Sequence, residues 1–446
     1  MQEHPVTTAV RKAGVSGQGG AGFPTHVKLA AAAEIVIANG CECEPLLATD
    51  TWIMEHKTEA LLTGLEAAMH ATGAARGIIA LKRKHGLLVE KLRTALAKTP
   101  FELLLMDNFY PAGDEQVLIC EATGRSVPPQ SLPRDVGCLV SNVGTLVAVA
   151  EALQGLPVTA RILTITGAVA RPCVFAAPIG TSILECIEHA GGSTLADSVV
   201  VMGGPMMGAV LDSPAALESA VVTKTLNGII VLPSGHHLHK AARQRPEVMR
   251  RRAAAACIQC RYCTDLCPRY LIGHPFETHR VMRCFGSGTE LDAEAARQAL
   301  LCCGCGICEH VACPMGLSPA SINAWLKRRF AQEGIRYEGD RNIQPDNREW
   351  RELRKLPLPR LASRIGISEY MDLRPQPVEG PVPSRVRVPL RQHIGIPAQP
   401  VCAQGDHVQE GELIARIPDG SLGVNVHASI SGFIEAVDSE ISIRRT

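Results

Sequence analysis

The chain has 446 residues, 45 Lys plus Arg against 44 Asp plus Glu, and a composition that is 46% hydrophobic but only 4% aromatic. That length exceeds a single hydrophobic core and requires several domains. Balanced charge and few aromatic rings exclude a protein whose surface as a whole attracts nucleic acid, acidic membrane or stacked bases. The opening MQEHPVTTAVRKAG has no apolar h-region, so no secretory signal is expected. GVSGQGGAGFPTHVK, residues 14–28, follows with five glycines. Gly17, Gly19 and Gly22 satisfy G-x-G-x-x-G, yet TTAVRKAG ahead of them lacks the apolar run of the strand that a Rossmann turn follows. Further on, EIVIANG and GIIALK read as parallel strands, and TEALLTGLEAAMHATG as an amphipathic helix ending at Gly73. The most apolar stretch, GCLVSNVGTLVAVAEALQGL, is broken by Asn142 and Glu151 and reads as a buried strand–turn–helix, not a transmembrane span. From 158 to 235 the texture changes to short β runs (RILTITGAV, PCVFAAP, SVVVMGG) around one helix, SILECIEHAGG, as in a small β-grasp module. HKAARQRPEVMRRRAAAA, residues 239–256, is a basic approach to the cysteine-rich region. It reads either as a solvated helix face or as a docking surface, centred on Arg250, Arg251 and Arg252, for an acidic electron partner. LPLPRLASRIGISEYMDLRPQPVEGPVPS lacks periodicity and reads as an extended strap. From Val386 onward, short β runs between Gly and Pro turns indicate a small barrel.

Cysteine carries the strongest signal. There are 17, ten of them between Cys257 and Cys313, and without a signal peptide they point to metal or redox chemistry, not to disulfides. CIQCRYCTDLCP places Cys257, Cys260, Cys263 and Cys267 before a proline, the C-x2-C-x2-C-x3-C-P run of bacterial two-cluster ferredoxins. CCGCGICEHVACP repeats it with Cys302, Cys305, Cys308 and Cys313, one residue longer before the last cysteine. In such pairs three close thiolates hold one cluster and the fourth reaches the other. Cys257, Cys260, Cys263 and Cys313 are therefore expected on one [4Fe–4S] cluster, and Cys302, Cys305, Cys308 and Cys267 on the second. Cys303 competes with Cys302, although only one residue then separates it from Cys305. Zinc is the rival metal for C-x2-C pairs, but two full runs ending in Cys-Pro favour iron–sulfur. Cys120, Cys138, Cys186, Cys284 and Cys402 lack ligand spacing and read as small core residues.

Four motifs in order, GQGGAGFPTHVK, ANGCECEP, YPAGDEQ and SNVGTL, resemble the flavin-binding segments of the NADH-binding (51K) subunit of respiratory complex I and of the RnfC component of the Rnf complex. GTSILECIEHAGG and GGPMMG are similar to their SLBB β-grasp module, and VRVPLRQHIGIPAQPVCAQGDHVQEGELIARI to the Rnf barrel-sandwich module. In RnfC proteins that barrel is N-terminal. The order found here matches the cobalamin reductases of propanediol-utilisation microcompartments. The resemblance implies an α/β multidomain fold: an FMN/NADH-binding domain (1–155), an SLBB β-grasp domain (156–235), a helical two-[4Fe–4S] ferredoxin-type domain (236–335), a Pro/Arg-rich linker (336–385) and a barrel-sandwich domain (386–446).

It also implies residue roles. Gly17, Gly19, Gly20 and Gly22 cradle the flavin phosphate through bare backbone, and Lys28 neutralises it. Asn39 and Glu42 face the isoalloxazine and ribityl groups, Tyr110, Gly113 and Asp114 line the ring, and Asn142 and Thr145 hold the phosphate end. Glu44 and Glu115 meet the nicotinamide nucleotide as the catalytic pair, and Phe23 stacks on its adenine. Gln18 stands where complex I has arginine, so a weaker phosphate grip is expected; Cys41 and Cys43 replace the usual Asp and Ser. With no second nucleotide fingerprint, the flavin is FMN, not FAD. The implied activity passes electrons from NADH through FMN and two [4Fe–4S] clusters to cobalamin, for readenosylation by a partner adenosyltransferase. The expected setting is cytoplasmic, inside a microcompartment among shell or cargo proteins, with no nucleic acid and no transmembrane segment. An Rnf-type electron-transfer subunit of a membrane-associated NADH:ferredoxin oxidoreductase is the alternative. A third reading, a ferredoxin module with a decayed flavin site, conflicts with the intact loops. No lysine follows Lys355, so the barrel hairpin VNVHASISGFI is expected to carry no lipoyl or biotin and to serve in docking.

Overall fold

Apolar runs of strand length alternate with helical periods in the first third of the chain and build a parallel sheet covered on both faces. Its elements are α1 (Pro5–Lys12), α2 (Thr25–Leu29), β1 (Ile35–Gly40), α3 (Thr49–His56), α4 (Thr58–Thr72), β2 (Arg76–Lys82), α5 (Gly86–Leu96), β3 (Glu102–Met106), β4 (Phe109–Tyr110), α6 (Glu115–Thr123), β5 (Cys138–Asn142) and α7 (Val143–Leu153). The computed structural model describes residues 4–344 and 350–446; residues 345–349, inside the expected linker, lie outside the described residues. EIVIANG and GIIALK are β1 and β2, paired in parallel from Ile35↔Arg76 to Gly40↔Leu81. The expected amphipathic helix is α4, stopped by Gly73 in the left-handed region at φ 71°. Because the sheet is buried on two sides, its strands are apolar throughout. Val36, Ala38, Ile79 and Leu81 pack with α4 and α7, and Ile35, Ile37, Ile78 and Ala80 with α6.

The helices α4 and α7 touch at Gly64, where an added Cβ would overlap the Leu146 carbonyl oxygen. Gly64→Ala is therefore expected to push the two helices apart at a cost of roughly 1–3 kcal/mol. The measurement is a lower urea midpoint for the chain.

The strand order is β3-β2-β1-β5. From β1 the chain runs outward through β2 to β3, then returns to lay β5 on the opposite side of β1. The crevice outside the carboxyl ends of β1 and β5 is thus the topological switch point, where open α/β sheets bind ligands. Asn39 and Asn142 are register partners at that edge.

The second module holds β6 (Ala160–Gly167), β7 (Cys173–Pro178), α8 (Ile183–His189), β8 (Ser198–Met202), β9 (Ala209–Leu211), α9 (Pro214–Ser219) and β10 (Gly228–Pro233). Its strands form a mixed sheet in the order β7-β6-β10-β8-β9, and Gln376–Pro377 add a further strand beside β7. The helix α9, which the sequence pattern did not announce, begins at a Ser213 side chain that accepts from Ala216 N.

The cysteine region is helical: α10 (His237–Ala242), α11 (Pro246–Ala256), α12 (Tyr262–Asp265), α13 (Pro268–Leu271), α14 (Thr278–Ser287), α15 (Glu294–Arg297) and α16 (Pro319–Gln332). The basic helix α11 needs a correction. Arg250 is ion-paired with Glu290, which is buried, and lies over the Phe285 ring with 4.5 Å to the centroid. These contacts half-bury it, so of the three arginines only Arg251 and Arg252 are left exposed, and Arg252 Nη2 donates to Gly316 O at 2.7 Å.

Nor is the strap featureless. Leu356–Pro357 pairs antiparallel with β4, and Leu358–Arg364 is a helix that buries Leu358, Leu361 and Ala362. Leu358, Leu361 and Ile365 do recur at helical spacing, but the surrounding prolines read as breakers. Pro359 sits in the first turn, where a missing N–H costs nothing.

The barrel that follows consists of a four-stranded and a three-stranded sheet around Val386, Val388, Ile414, Val426, Ile434 and Ile441. It is tied inward by Lys224, 1% exposed, whose Nζ donates to Gly14 O and to Asn425 O, both at 2.7 Å.

Candidate functional site

Four segments converge on the switch point: the glycine-rich loop, the chain leaving β1, the start of α6 and the start of α7. The loop is preceded by α1, not by a strand, so the Rossmann reading falls. Gly17 N donates to Phe23 O at 2.8 Å and Gln18 N to Thr145 Oγ1 at 2.8 Å, which fastens the base of the loop over the N-terminus of α7. Its tip, Gly19 to Ala21, is exposed. Gly20 has φ 99° and no atom within 4 Å of where a Cβ would stand, while a Cβ on Gly19 would lie 3.5 Å from Asn142 Cβ. Only glycine holds the Gly20 backbone without strain, and the space beside it is open. Beneath the tip, the buried Ser16 Oγ and Thr25 Oγ1 have no partner among the described residues. An oxygen-rich, anionic end group fits this cradle.

Charge is concentrated under the crevice. Asn142 Nδ2 donates to both oxygens of Asp50 at 3.0 and 2.9 Å, and its Oδ1 caps α7 by accepting from Gly144 N at 2.9 Å. Glu42, with φ 24°, accepts from Asp50 N at 2.9 Å, and its carbonyl accepts from Lys82 Nζ at 3.0 Å. Burial, reinforced by the nearby Asp50, pushes the Glu42 carboxyl up to about 8, and burial raises Asp50 to about 6.

A residue that sequence reasoning missed completes this floor. Arg161, in β6 of the second module and 2% exposed, donates to Gln18 Oε1, to Gln18 O at 2.9 Å, to Asn227 Oδ1 and to Leu226 O at 2.8 Å. Desolvation lowers its guanidinium to about 10, against the pull of Asp50 and Glu42. A lone arginine in an apolar strand was its only signal.

The other expected site residues sort into contacts. Asn39 Nδ2 donates to Gly113 O at 2.9 Å, and Gly113 N donates to Cys43 Sγ at 2.6 Å, so the unusual cysteine holds the YPAGDEQ segment against the β1 loop. Lys28 and Glu115 pair with each other at 2.8 Å, and Phe23 is half-buried. Asp114 caps α6 by accepting from Gln116 N and Val117 N, both at 3.1 Å. It also receives both nitrogens of Arg269 at 2.6 and 3.0 Å. Tyr110, 1% exposed, donates its hydroxyl to Cys305 O at 2.8 Å. Tyr110 and Asp114 thus reach toward the cysteine region and join the two modules.

Glu44 Oε2 accepts from Met206 N at 2.8 Å and its Oε1 is buried without a partner among the described residues. Burial against the GGPMMG loop lifts its carboxyl from 4.5 to about 7. Between pH 4.5 and about 7 the folded state therefore binds more protons here than the unfolded state. Stability should decline as pH rises through that window, with Glu42 extending the decline to about pH 8. Glu44→Gln keeps an acceptor and removes the charge. It should flatten the slope below pH 7 in urea midpoints measured against pH.

The cysteines line two cavities. Cys257, Cys260, Cys263 and Cys313 border the first, and Cys267, Cys302, Cys305 and Cys308 the second, with Cys303 also in the wall of the second. This is the crossed grouping that the two runs imply. The two loops also share a backbone fold: φ is positive at Gln259 (54°) and Arg261 (68°), and again at Gly304 (79°) and Gly306 (77°). These positions are two and four residues after Cys257 and after Cys302, so Cys302, not Cys303, occupies the place equivalent to Cys257. The extra residue of the second run is absorbed as a π-helical turn over Cys308–Ala312, opposite α12 in the first. Among the described residues no three His, Cys, Asp or Glu side chains converge on one ion position. A cubane does not ask them to, since each thiolate binds its own iron. The second cavity lies toward the crevice, because the Tyr110 hydroxyl bonds Cys305 and Met206 Cε would be 3.0 Å from a Cβ on Gly306. The first lies outward, beside Ile258 and Tyr262, 63% and 55% exposed.

Family models match along the whole order: the Nuo51 FMN-binding domain over residues 10–151, the SLBB domain over 162–210, a 4Fe-4S dicluster domain over 256–318 and the RnfC barrel sandwich hybrid domain over 374–445. Among curated proteins, cobalamin reductase PduS of Salmonella typhimurium is 43% identical over 432 residues, covering 97% of this chain and 94% of its own length. Its counterpart in Citrobacter freundii is 42% identical, covering 98% and 95%. A component of the Na(+)-translocating ferredoxin:NAD(+) oxidoreductase complex of Acetobacterium woodii is 35% identical over 281 residues, 61% of this chain and 59% of that one. With such identity along nearly the full length of both chains, this chain belongs to the PduS cobalamin reductase family.

Proposed function

We propose that the chain is an NADH-dependent reductase that passes electrons through FMN and two [4Fe–4S] clusters to cobalamin. The observation that carries this reading is the serial arrangement of crevice, inner cysteine cavity and outer cysteine cavity, joined by Tyr110–Cys305 and Asp114–Arg269. A bound flavin supplies the conversion of a hydride into single electrons, which iron–sulfur clusters cannot make themselves.

The chain's own residues have distinct tasks in this scheme. Gly19, Gly20 and Gly22 hold the phosphate end on main-chain N–H groups, Gly17 shapes the loop beneath them through its bond to Phe23 O, and Lys28 and the buried Arg161 are the nearby cations. Asn39, Gly113, Asn142 and Thr145 fix the loops that frame the ring. Glu44 and Glu115 receive the nicotinamide nucleotide, for which Glu115 must part from Lys28. Asp114 serves by holding the inner cavity against the crevice. Cys257, Cys260, Cys263 and Cys313 ligate the outer cluster; Cys302, Cys305, Cys308 and Cys267 ligate the inner one.

The reduced corrinoid is a substrate for an adenosyltransferase, and the setting that fits it is a microcompartment with its shell and cargo proteins. Among the described residues no helix is long and apolar enough to cross a membrane. The Rnf-type alternative rests on a match to 61% of the chain, against 97% for the reductase.

The test is anaerobic NADH oxidation by the purified, reconstituted protein with cobalamin as acceptor. A cobalt(I) spectrum, and adenosylcobalamin when an adenosyltransferase is added, is the expected result. Flavin bleaching by NADH with no cobalt(I) under any condition would overturn the cobalamin step and favour a protein acceptor of the Rnf kind.

A further inference from the structure

Two polar side chains in the wall of the inner cysteine cavity have no partner among the described residues. Asn323, on α16, is 1% exposed, and neither its Nδ2 nor its Oδ1 is hydrogen-bonded among the described residues. Thr278, the first residue of α14, is 1% exposed and its Oγ1 is likewise unpaired. Both line the same cavity as Cys267, Cys302, Cys305 and Cys308. Buried polar groups are nearly always satisfied, because an unpaired one keeps its full desolvation penalty. The outer cavity is different, since its polar neighbours are already engaged. Gln259 Nε2 donates to Cys257 Sγ at 3.1 Å, and His279 Nδ1 lies 2.9 Å from Thr264 Oγ1.

We propose that Asn323 and Thr278 donate N–H···S and O–H···S hydrogen bonds to the sulfurs of the inner [4Fe–4S] cluster and thereby raise its reduction potential. This rests on the assignment of a cluster to that cavity. Reduction adds one negative charge to a group already held by anionic thiolates. Around the inner cavity, where Cys267, Cys305 and Cys308 are all buried, low polarisability resists that charge. Hydrogen bonds to sulfur favour the reduced form and are among the levers that set cluster potentials. Both ends of the Asn323 amide are free, so the rotamer that aims Nδ2 at the cavity breaks no existing bond. The hydroxyl of Thr278 has a single rotatable donor and the same freedom. The two donors keep the inner cluster reducible by its upstream donor despite its burial; the more exposed outer site already has a side-chain N–H···S donor in Gln259.

Anaerobic redox titration of the holoprotein, followed by electron paramagnetic resonance, tests this. Asn323→Leu and Thr278→Val should each lower the potential of the same one of the two cluster signals. The expected size is a roughly tenfold shift in electron partition between clusters, about 59 mV for one electron. Thr278→Ser should restore the wild-type value, and iron content and the other signal should not change. Unshifted potentials in both the Leu and Val variants at full iron content would overturn the inference, as would equal shifts of both signals. Should Asn323→Leu fail to fold, the Val and Ser pair at 278 decides. A wild-type protein with only one cluster signal would overturn the cluster assignment itself, and this inference with it.

Discussion

Cys267→Ser should empty the inner cavity and spare the outer one, although Cys267 lies only four residues from Cys263 in sequence. Cys313→Ser should do the reverse. The crossing follows from the lining of the two cavities, in which each loop contributes three cysteines to its own cavity and one to the other. Iron should fall from about eight to about four per chain in each variant. Flavin should be retained in both, so NADH-to-ferricyanide activity persists while NADH-driven reduction of cobalamin drops to background. Spectroscopy then identifies which cluster survives. Loss of the outer cluster in Cys267→Ser would mean that each loop binds four irons by itself and that the crossed reading is wrong. Cys303→Ser is the control, expected to leave both clusters in place because the positive-φ repeat aligns Cys302 with Cys257.

The second large effect is expected at the Asp114–Arg269 pair. The two side chains are 14% and 10% exposed and meet through two parallel bonds, so removing either one leaves a charge stranded in a poorly hydrated interface. Arg269→Met should cost about 3–5 kcal/mol. Asp114→Ala should cost more, since it also removes the side-chain cap of α6, typically another ~1 kcal/mol. The loss should appear in the denaturation midpoint and in stopped-flow kinetics, with flavin reduction by NADH unaffected and the following reduction of the inner cluster slowed. Asp114→Asn combined with Arg269→Gln restores a neutral hydrogen-bonded pair and should recover part of both. Equal stability of Arg269→Met and the parent protein would show that the pair does not dock the modules.

Local signals were legible wherever a short stretch of chain decides its own structure. The apolar runs of β1 and β2, the glycine stop of α4 and the strand–turn–helix of β5 and α7 follow from period and punctuation alone. The crossed cysteine grouping follows from ligand spacing. The contacts that join modules were not legible. Arg161, Arg269 and Lys224 are single cations in otherwise ordinary text, and each finds its partners only after distant segments pack. Arg250 misleads for the same reason: its neighbours in sequence are basic and exposed, while Glu290, forty residues on, holds it half-buried in an ion pair. In the strap, proline reads as interruption where Pro359 instead starts a helix. The resemblance places Tyr110 and Asp114 at the flavin ring. The structure directs their polar atoms to the cysteine region, a distinction that no motif carries.

Lys224 gives the architecture a further property. Its ammonium is buried with no carboxylate paired to it among the described residues, and desolvation lowers its pKa from 10.5 to about 7. The oxygens that satisfy it come from Gly14 in the first module and Asn425 in the last, while Lys224 itself belongs to the second and its N–H donates to Gln392 Oε1 of the barrel at 3.0 Å. A cation of one module that is solvated by two others is left unsolvated when any of the three parts from the rest. The first, second and last modules are therefore expected to unfold in one transition, and a chain trimmed of its barrel should show a lower urea midpoint for what remains.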